Sequence, residues 1–189
     1  MDAPRALIDA RAALARAAER LAAAGATPEL LVETVPAHRV LGVIPRRESF
    51  RRTGEGFLLG ALLVTARGDA AEPGRIARAS RQVLPGHQSQ SARARKELRQ
   101  RLLDARLPEG STVVIDSRPI PLDDPTAMAA ERGPLVLRDD TVLVRWIPSA
   151  PDDALRPLGS YLAERLDLAL GTLEGLRAAR SEEVESEHP

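Results

Sequence analysis

Leu7, Leu14 and Leu21 recur every seven residues, with Ala10, Ala17 and Ala24 between them. That stripe constrains the chain most, because it commits the segment to a helix with one apolar face to bury. The spacing predicts a helix from about Pro4 to Ala24. Asp2 is placed to cap it, Pro4 suits the first turn, and Gly25 suits the position just past its end. The small alanines allow close approach, either to the protein's own sheet or to a partner helix in a short coiled-coil seam. A second stripe lies near the other end. Leu158, Leu162, Leu166, Ala169, Leu173 and Leu176 share one face of a helix predicted from about Pro157 to Ala178, with Asp152 or Asp153 capping its approach.

Between these helices, proline and glycine cut the chain into short runs. Leu30 to Val35 and Val40 to Ile44 are rich in β-branched residues and read as strands. Thr53-Gly54-Glu55-Gly56 reads as a turn, and Phe57 to Thr65 as one central strand, apolar on both faces. Ala66 to Gly74 reads as a loop, and Arg75 to Leu84 as a fourth strand or a short helix. Pro85-Gly86 breaks the chain. Ser89 or Ser91 then caps a second helix running to about Arg106, with Ala94, Leu98, Leu102 and Ala105 on its buried side. Thr112 to Asp116 is a predicted strand and Ser117 to Pro134 is irregular. Leu135 to Arg138 and Thr141 to Ile147 form a hairpin around Asp139-Asp140.

Strands joined by short turns favour antiparallel pairing. The expected class is therefore α+β: an antiparallel or mixed sheet of about six strands with three packed helices. Residues 1–180 are expected to form a single domain. Residues 181–189 carry Glu182, Glu183, Glu185 and Glu187 with no basic residue, and are expected to be a disordered acidic tail.

Composition narrows function mainly by exclusion. The chain has no cysteine, which removes disulfides, thiolate metal sites and cysteine nucleophiles and fits a cytoplasmic address. It carries 27 basic and 27 acidic residues, so no net charge drives it towards nucleic acid or an anionic membrane. The longest apolar run, Phe57 to Val64, is far shorter than the roughly 20 residues of a membrane helix. The first residues also lack the basic-then-apolar order of a signal peptide. His38, His87 and His188 do not stand at ligand spacing, and no metal or cofactor is expected. The doublets Asp123-Asp124, Asp139-Asp140 and Asp152-Asp153 stand where aspartate serves turns and helix starts. Gly54-Glu55-Gly56 followed by Gly60 lacks the spacing and position of a dinucleotide-binding loop.

The local anomaly is the second helix. Arg93, Arg95, Lys96, Arg99, Arg101 and Arg106 face only Glu97 and Asp104, and Lys96 is the only lysine in the chain. A helix start with free N–H groups and hydroxyls favours anions. The candidate anion-binding set is Ser89, Ser91, Arg93, Arg95, Lys96 and Arg99, with a phosphate, a nucleotide or an RNA backbone as its ligand. Aromatic side chains for base stacking are missing there. Arg46, Arg47, Arg51 and Arg52 form a second basic cluster, expected at an exposed hairpin end. Phe50, Phe57, Trp146 and Tyr161 are expected to mark packing sites or an interface. No complete catalytic set is present, so catalytic residues are unknown.

Three runs carry a resemblance. They are Pro85-Gly86-His87-Gln88-Ser89-Gln90-Ser91 with Arg93 to Leu98 and Pro108-Glu109-Gly110; Leu31-Val32-Glu33-Thr34-Val35 with Arg39-Val40-Leu41-Gly42-Val43; and Val144-Arg145-Trp146. Together they resemble a group of short uncharacterised proteins of high-GC bacteria, some labelled glutaminase. The likeness covers most of the chain except the tail. The label implies an amidase chemistry that these residues do not support. Serine-type glutaminases are similar to beta-lactamases and need a Ser-x-x-Lys pair, and here Arg93 stands three residues before the only lysine. The amidotransferase type needs a cysteine. The expected function is therefore a non-enzymatic cytoplasmic protein that binds a protein partner or itself, as a homodimer for instance. The alternatives are an anion, nucleotide or RNA-backbone binder using residues 91–106, and a hydrolase with dispersed site residues.

Overall fold

The computed structural model describes residues 3–40, 44–81 and 90–186, and its class is α+β. The chain packs as two compact units built from alternating segments. One combines Met1–Pro28, Phe57–Glu72 and Pro119–Pro189; the other combines Glu29–Gly56 and Pro73–Arg118. Each has its own hydrophobic core.

The first unit joins the two ends of the chain. Its helices are α1 (Ala3–Ala23), a short α3 (Pro125–Ala130) and α4 (Leu158–Ser186). Leu7, Leu14 and Leu21 of α1 are buried in one core with Leu158, Leu162 and Leu166 of α4. The heptad stripe thus packs inside this protein, and fully burying each leucine contributes about 1.5–3 kcal/mol. Helix α4 continues past the expected end near Ala178, and Leu176, the last member of its stripe, is 60% exposed.

The run from Phe57 to Thr65 is a hairpin and not the expected single strand. β4 (Ser49–Leu59) pairs antiparallel with β5 (Leu62–Val64), with Leu59 opposite Leu62 and the turn at Gly60-Ala61. Gly60 sits at φ +65°, which the first position of such a turn assigns to glycine. Tyr161 of α4 is buried against this turn. Its hydroxyl accepts from the Ala61 N–H at 2.8 Å and donates to the Leu59 carbonyl at 2.9 Å. A Cβ at Gly60 would strike that hydroxyl.

The expected loop from Ala66 to Gly74 contains β6 (Ala70–Glu72), which pairs with β5. The supposedly irregular stretch from Ser117 to Pro134 contains a short β9 (Arg118–Pro119) and α3. Asp124 caps α3 by accepting from the N–H groups of Thr126 and Ala127, and Pro125 sits in the first turn. β10 (Leu135–Arg138) and β11 (Thr141–Val144) form the expected hairpin. Asp139 and Asp140 both have positive φ there, as a two-residue type I′ turn requires. A short β12 (Arg156–Pro157) adds to β11. Trp146 lies beyond β11 and is 45% exposed, whereas Phe57 and Tyr161 are buried.

In the second unit, β1 (Glu29–Val35) runs antiparallel to β4 and parallel to β8 (Thr112–Ile115). β7 (Arg75–Arg78) pairs antiparallel with β8, so the first four residues of the ambiguous segment are strand, while residues 82–84 lie outside the described residues. The glycine-rich Thr53 to Gly56 is no turn; it lies inside β4. Pairing shifts from Leu31 opposite Gly54 to Val32 opposite Arg52, leaving Thr53 as a bulge. The expected strand from Val40 to Ile44 is two short arms, β2 (His38–Val40) and β3 (Ile44–Arg46), paired antiparallel with Val40 opposite Ile44. α2 (Gln90–Asp104) packs Leu98 and Leu102 with Leu30, Val32, Phe50, Val113 and Ile115. Ala94, expected on the buried side, is exposed. In hydrogen-bonding order the strands run β7-β8-β1-β4-β5-β6-β9, a mixed sheet of seven, and β10-β11-β12 form a sheet of three.

Replacing Tyr161 by phenylalanine strands a backbone donor and a backbone acceptor at the β4–β5 turn. Urea unfolding of Tyr161→Phe is expected to show a loss of about 1–3 kcal/mol. Trp146→Phe, at an exposed position, is expected to change stability by less than about 0.5 kcal/mol.

Candidate anion-binding site

Burying Leu98 and Leu102 fixes the rotation of α2, so its charged residues face outward. Lys96, Arg99 and Gln100 stand at spacings of three and four and share one helix face. The chain leaving β7 runs beside that face. The Ala79 N–H donates to the Ser111 carbonyl at 2.9 Å, and the Ala79 carbonyl accepts from the Gly110 N–H at 2.6 Å. Ser80 and Arg81 follow at once. With Lys96, Arg99 and Gln100 they line a concavity of about 140 Å³.

The electrostatics of this face are one-sided. Among the described residues Arg93, Arg95 and Lys96 make no ion pair. The Arg99 Nε donates to the Arg95 carbonyl at 3.3 Å, which leaves its two terminal nitrogens without an ion-pair partner among the described residues. Arg81 is steadied by Glu109, whose carboxylate accepts from the Arg81 N–H at 3.2 Å and lies 3.8 Å from its Nε. Arg101 has another role: it pairs with Glu48 and stands 5.6 Å over the Phe50 ring, fastening the helix to the sheet. Of the other basic cluster, Arg51 pairs with Glu33 and Arg52 with Glu55.

The sequence-derived set is thus divided. Lys96 and Arg99 line the concavity. Arg93, Arg95 and Ser91 lie elsewhere on α2, and Ser89 and the approach through Gly86 and His87 lie outside the described residues. Sequence reading missed Ser80, Arg81 and Gln100. Nothing local marks them, because β7 and α2 become neighbours only through β8 and the core.

The division of charge also escapes the linear sequence. The unit holding α2 has fifteen arginine and lysine residues against eight carboxylates, a net +7; the other unit has twelve against nineteen, a net −7. The overall balance of zero is the sum of two strongly charged parts.

Other candidates fall to structural duties. Asp124 caps α3, and Asp139 and Asp140 form a turn. Asp152 is held by hydrogen bonds from Arg145 and then Arg138, at 2.8 and 2.9 Å, which keep its carboxyl below the ordinary 3.8. Among the described residues no group of three His, Asp or Glu is placed to hold a metal ion, and no helix is long and apolar enough to cross a membrane. Comparison with family models, curated proteins and solved structures gives no match.

Because the folded Asp152 carboxyl is more acidic than its unfolded form, its stabilisation is present above pH 3.8 and is lost as pH falls through the folded value. Asp152→Asn is expected to unfold at lower temperature than wild type at pH 7. That gap should close in melts recorded progressively below pH 3.8.

Proposed function

We propose that this chain is a non-enzymatic cytoplasmic binding protein whose basic unit engages a polyanionic partner through α2. The observation that supports this reading is the segregation of charge. A net +7 is concentrated in one unit, and α2 holds cations that no carboxylate neutralises. Charges within about 8 Å of one another still interact at physiological salt, and the exposed cations of α2 have only Glu97 and Asp104 among them. Such a face gains affinity by releasing counterions from a phosphate-rich or otherwise polyanionic surface. The lack of cysteine fits the reducing compartment this reading assumes.

A hydrolase reading has less to stand on. The carboxyl with a displaced acidity, Asp152, is exposed and occupied by two arginines. Of the two concavities beside α1, the one of about 270 Å³ has Asp9, Asp140 and Thr141 as its polar side chains, and Asp140 belongs to the β10–β11 turn; the one of about 340 Å³ has Arg16 and Arg20, and neither holds a histidine or a nucleophile–base pair. The resemblance to high-GC bacterial proteins adds no catalytic residue, since Arg93 stands where a Ser-x-x-Lys motif needs serine. Self-association is a second reading favoured by one observation: the two units carry equal and opposite charge. It predicts a dimer or larger species in sedimentation at low salt that dissociates as salt is raised.

Titration of a fluorescent single-stranded RNA at several salt concentrations tests the main reading. Log affinity is expected to fall linearly with log salt. Arg93→Ala with Arg95→Ala should reduce the slope by about 1.4, roughly 0.7 per cation removed on a single strand. Arg67→Glu, in the acidic unit, should leave the slope unchanged. Binding that is absent, or insensitive to salt, would overturn the reading.

A further inference from the structure

We propose that the concavity formed by Ser80, Arg81, Lys96, Arg99 and Gln100 is a site for one phosphate group, carried by a larger ligand whose remainder lies outside it. This rests on the polyanion reading and names the chemistry at its centre. Among the described residues the lining is unusual in kind: two guanidinium groups, an ammonium, a hydroxyl and a carboxamide, with no apolar side chain and no carboxylate. Every member can donate a hydrogen bond. A lining without carboxylates offers a cation little, whereas a tetrahedral anion can use donors arriving from several directions.

The donors are also steadied. Arg99 is tied through Nε to the Arg95 carbonyl, so its terminal nitrogens are set before a ligand arrives. Arg81 is held by Glu109 through both its backbone N–H and its side chain. Preset guanidinium forks match the paired oxygens of a phosphate, and such charge-assisted contacts are roughly twice as strong as neutral ones. Lys96 adds a compact point charge to the same lining.

Size sets the ligand class. The concavity is small, about 140 Å³. That admits a phosphate with part of its hydration. It falls well short of the roughly 300–1,000 Å³ of sites that enclose a drug-sized ligand, so a base and sugar stay outside. The phosphate has two possible sources: a small phosphorylated molecule or a link in a polymer backbone. Arg93 and Arg95 carry the long-range attraction, while the concavity supplies the close contact.

The test uses the full chain labelled for amide NMR, titrated with sodium pyrophosphate and, separately, with a short single-stranded RNA, both at constant ionic strength. Pyrophosphate is expected to shift the amides of Ser80, Arg81, Lys96 and Gln100 in a saturable way. Lys96→Gln and Arg99→Gln should each weaken it about tenfold with unchanged melting temperature, and Arg99→Lys should recover only part of the loss. RNA that binds more tightly than pyrophosphate and displaces it assigns the phosphate to a polymer; RNA that binds no better assigns it to a small molecule. If RNA binding responds to Arg93→Ala and Arg95→Ala but no saturable shift appears at the concavity, the phosphate site is overturned and the polyanion reading survives. If neither probe binds, both fall.

Discussion

Three parallel pairs between β1 and β8 hold the basic unit together: Leu30 with Val113, Leu31 with Val114 and Val32 with Ile115. Parallel strands cannot be joined by a tight turn, so this ladder brings together parts of the chain about 80 residues apart. Its far end is clamped by Asp116. The Asp116 N–H donates to the Val32 carbonyl at 2.9 Å, and its carboxylate accepts from the Thr34 N–H and hydroxyl at 2.7 and 2.6 Å. Asp116 takes φ +55°, a conformation that aspartate tolerates better than most residues. Gly74 fits beside this corner because a side chain there would collide with the carbonyls of Ile115 and Asp116. The ladder thereby sets where β7 enters, where it ends, and which residues follow it beside α2.

Arginine serves two purposes along one helix. Arg101 is spent on packing, through Glu48 and the Phe50 ring. Its neighbours are left outward, where like charges repel and lower the stability of the folded state slightly. A helix built only for stability would alternate signs at spacings of three and four. α2 has two carboxylates for this, Glu97 at a spacing of four from Arg93 and Arg101, and Asp104, which accepts from Gln100. The departure from that rule is concentrated on the outward face, where a local rule is commonly broken for function.

Much of this fold is legible in the sequence, and its errors have physical causes. The α1 and α4 stripes, the α2 register at Leu98 and Leu102, and the Asp139-Asp140 hairpin all follow from local periodicity and turn chemistry. Glycines misled in two places. Around Thr53 they mark a bulge inside β4, where turn and bulge use the same residues. At Gly60 one glycine suffices to reverse a run so apolar that it reads as continuous strand. α3 had a signal in Asp124-Pro125, hidden by the prolines around it. The concavity and the charge segregation had none, because the basic unit is assembled from two separated segments and its composition exists only once they meet.

The same interleaving governs how the chain is made. α1 is synthesised before the other elements of its unit, and α4, which supplies Leu158, Leu162 and Leu166 to its core, comes after them all. Until then the stripe of Leu7, Leu14 and Leu21 has only part of its native core, from β5, α3 and β11 as each is made, and contacts between distant segments form slowly. The segments of the basic unit are complete earlier, at Arg118, with the long wait for α4 still ahead. The core around α1 is therefore closed only by the final helix, so the segment made before it exposes apolar surface that α4 later covers.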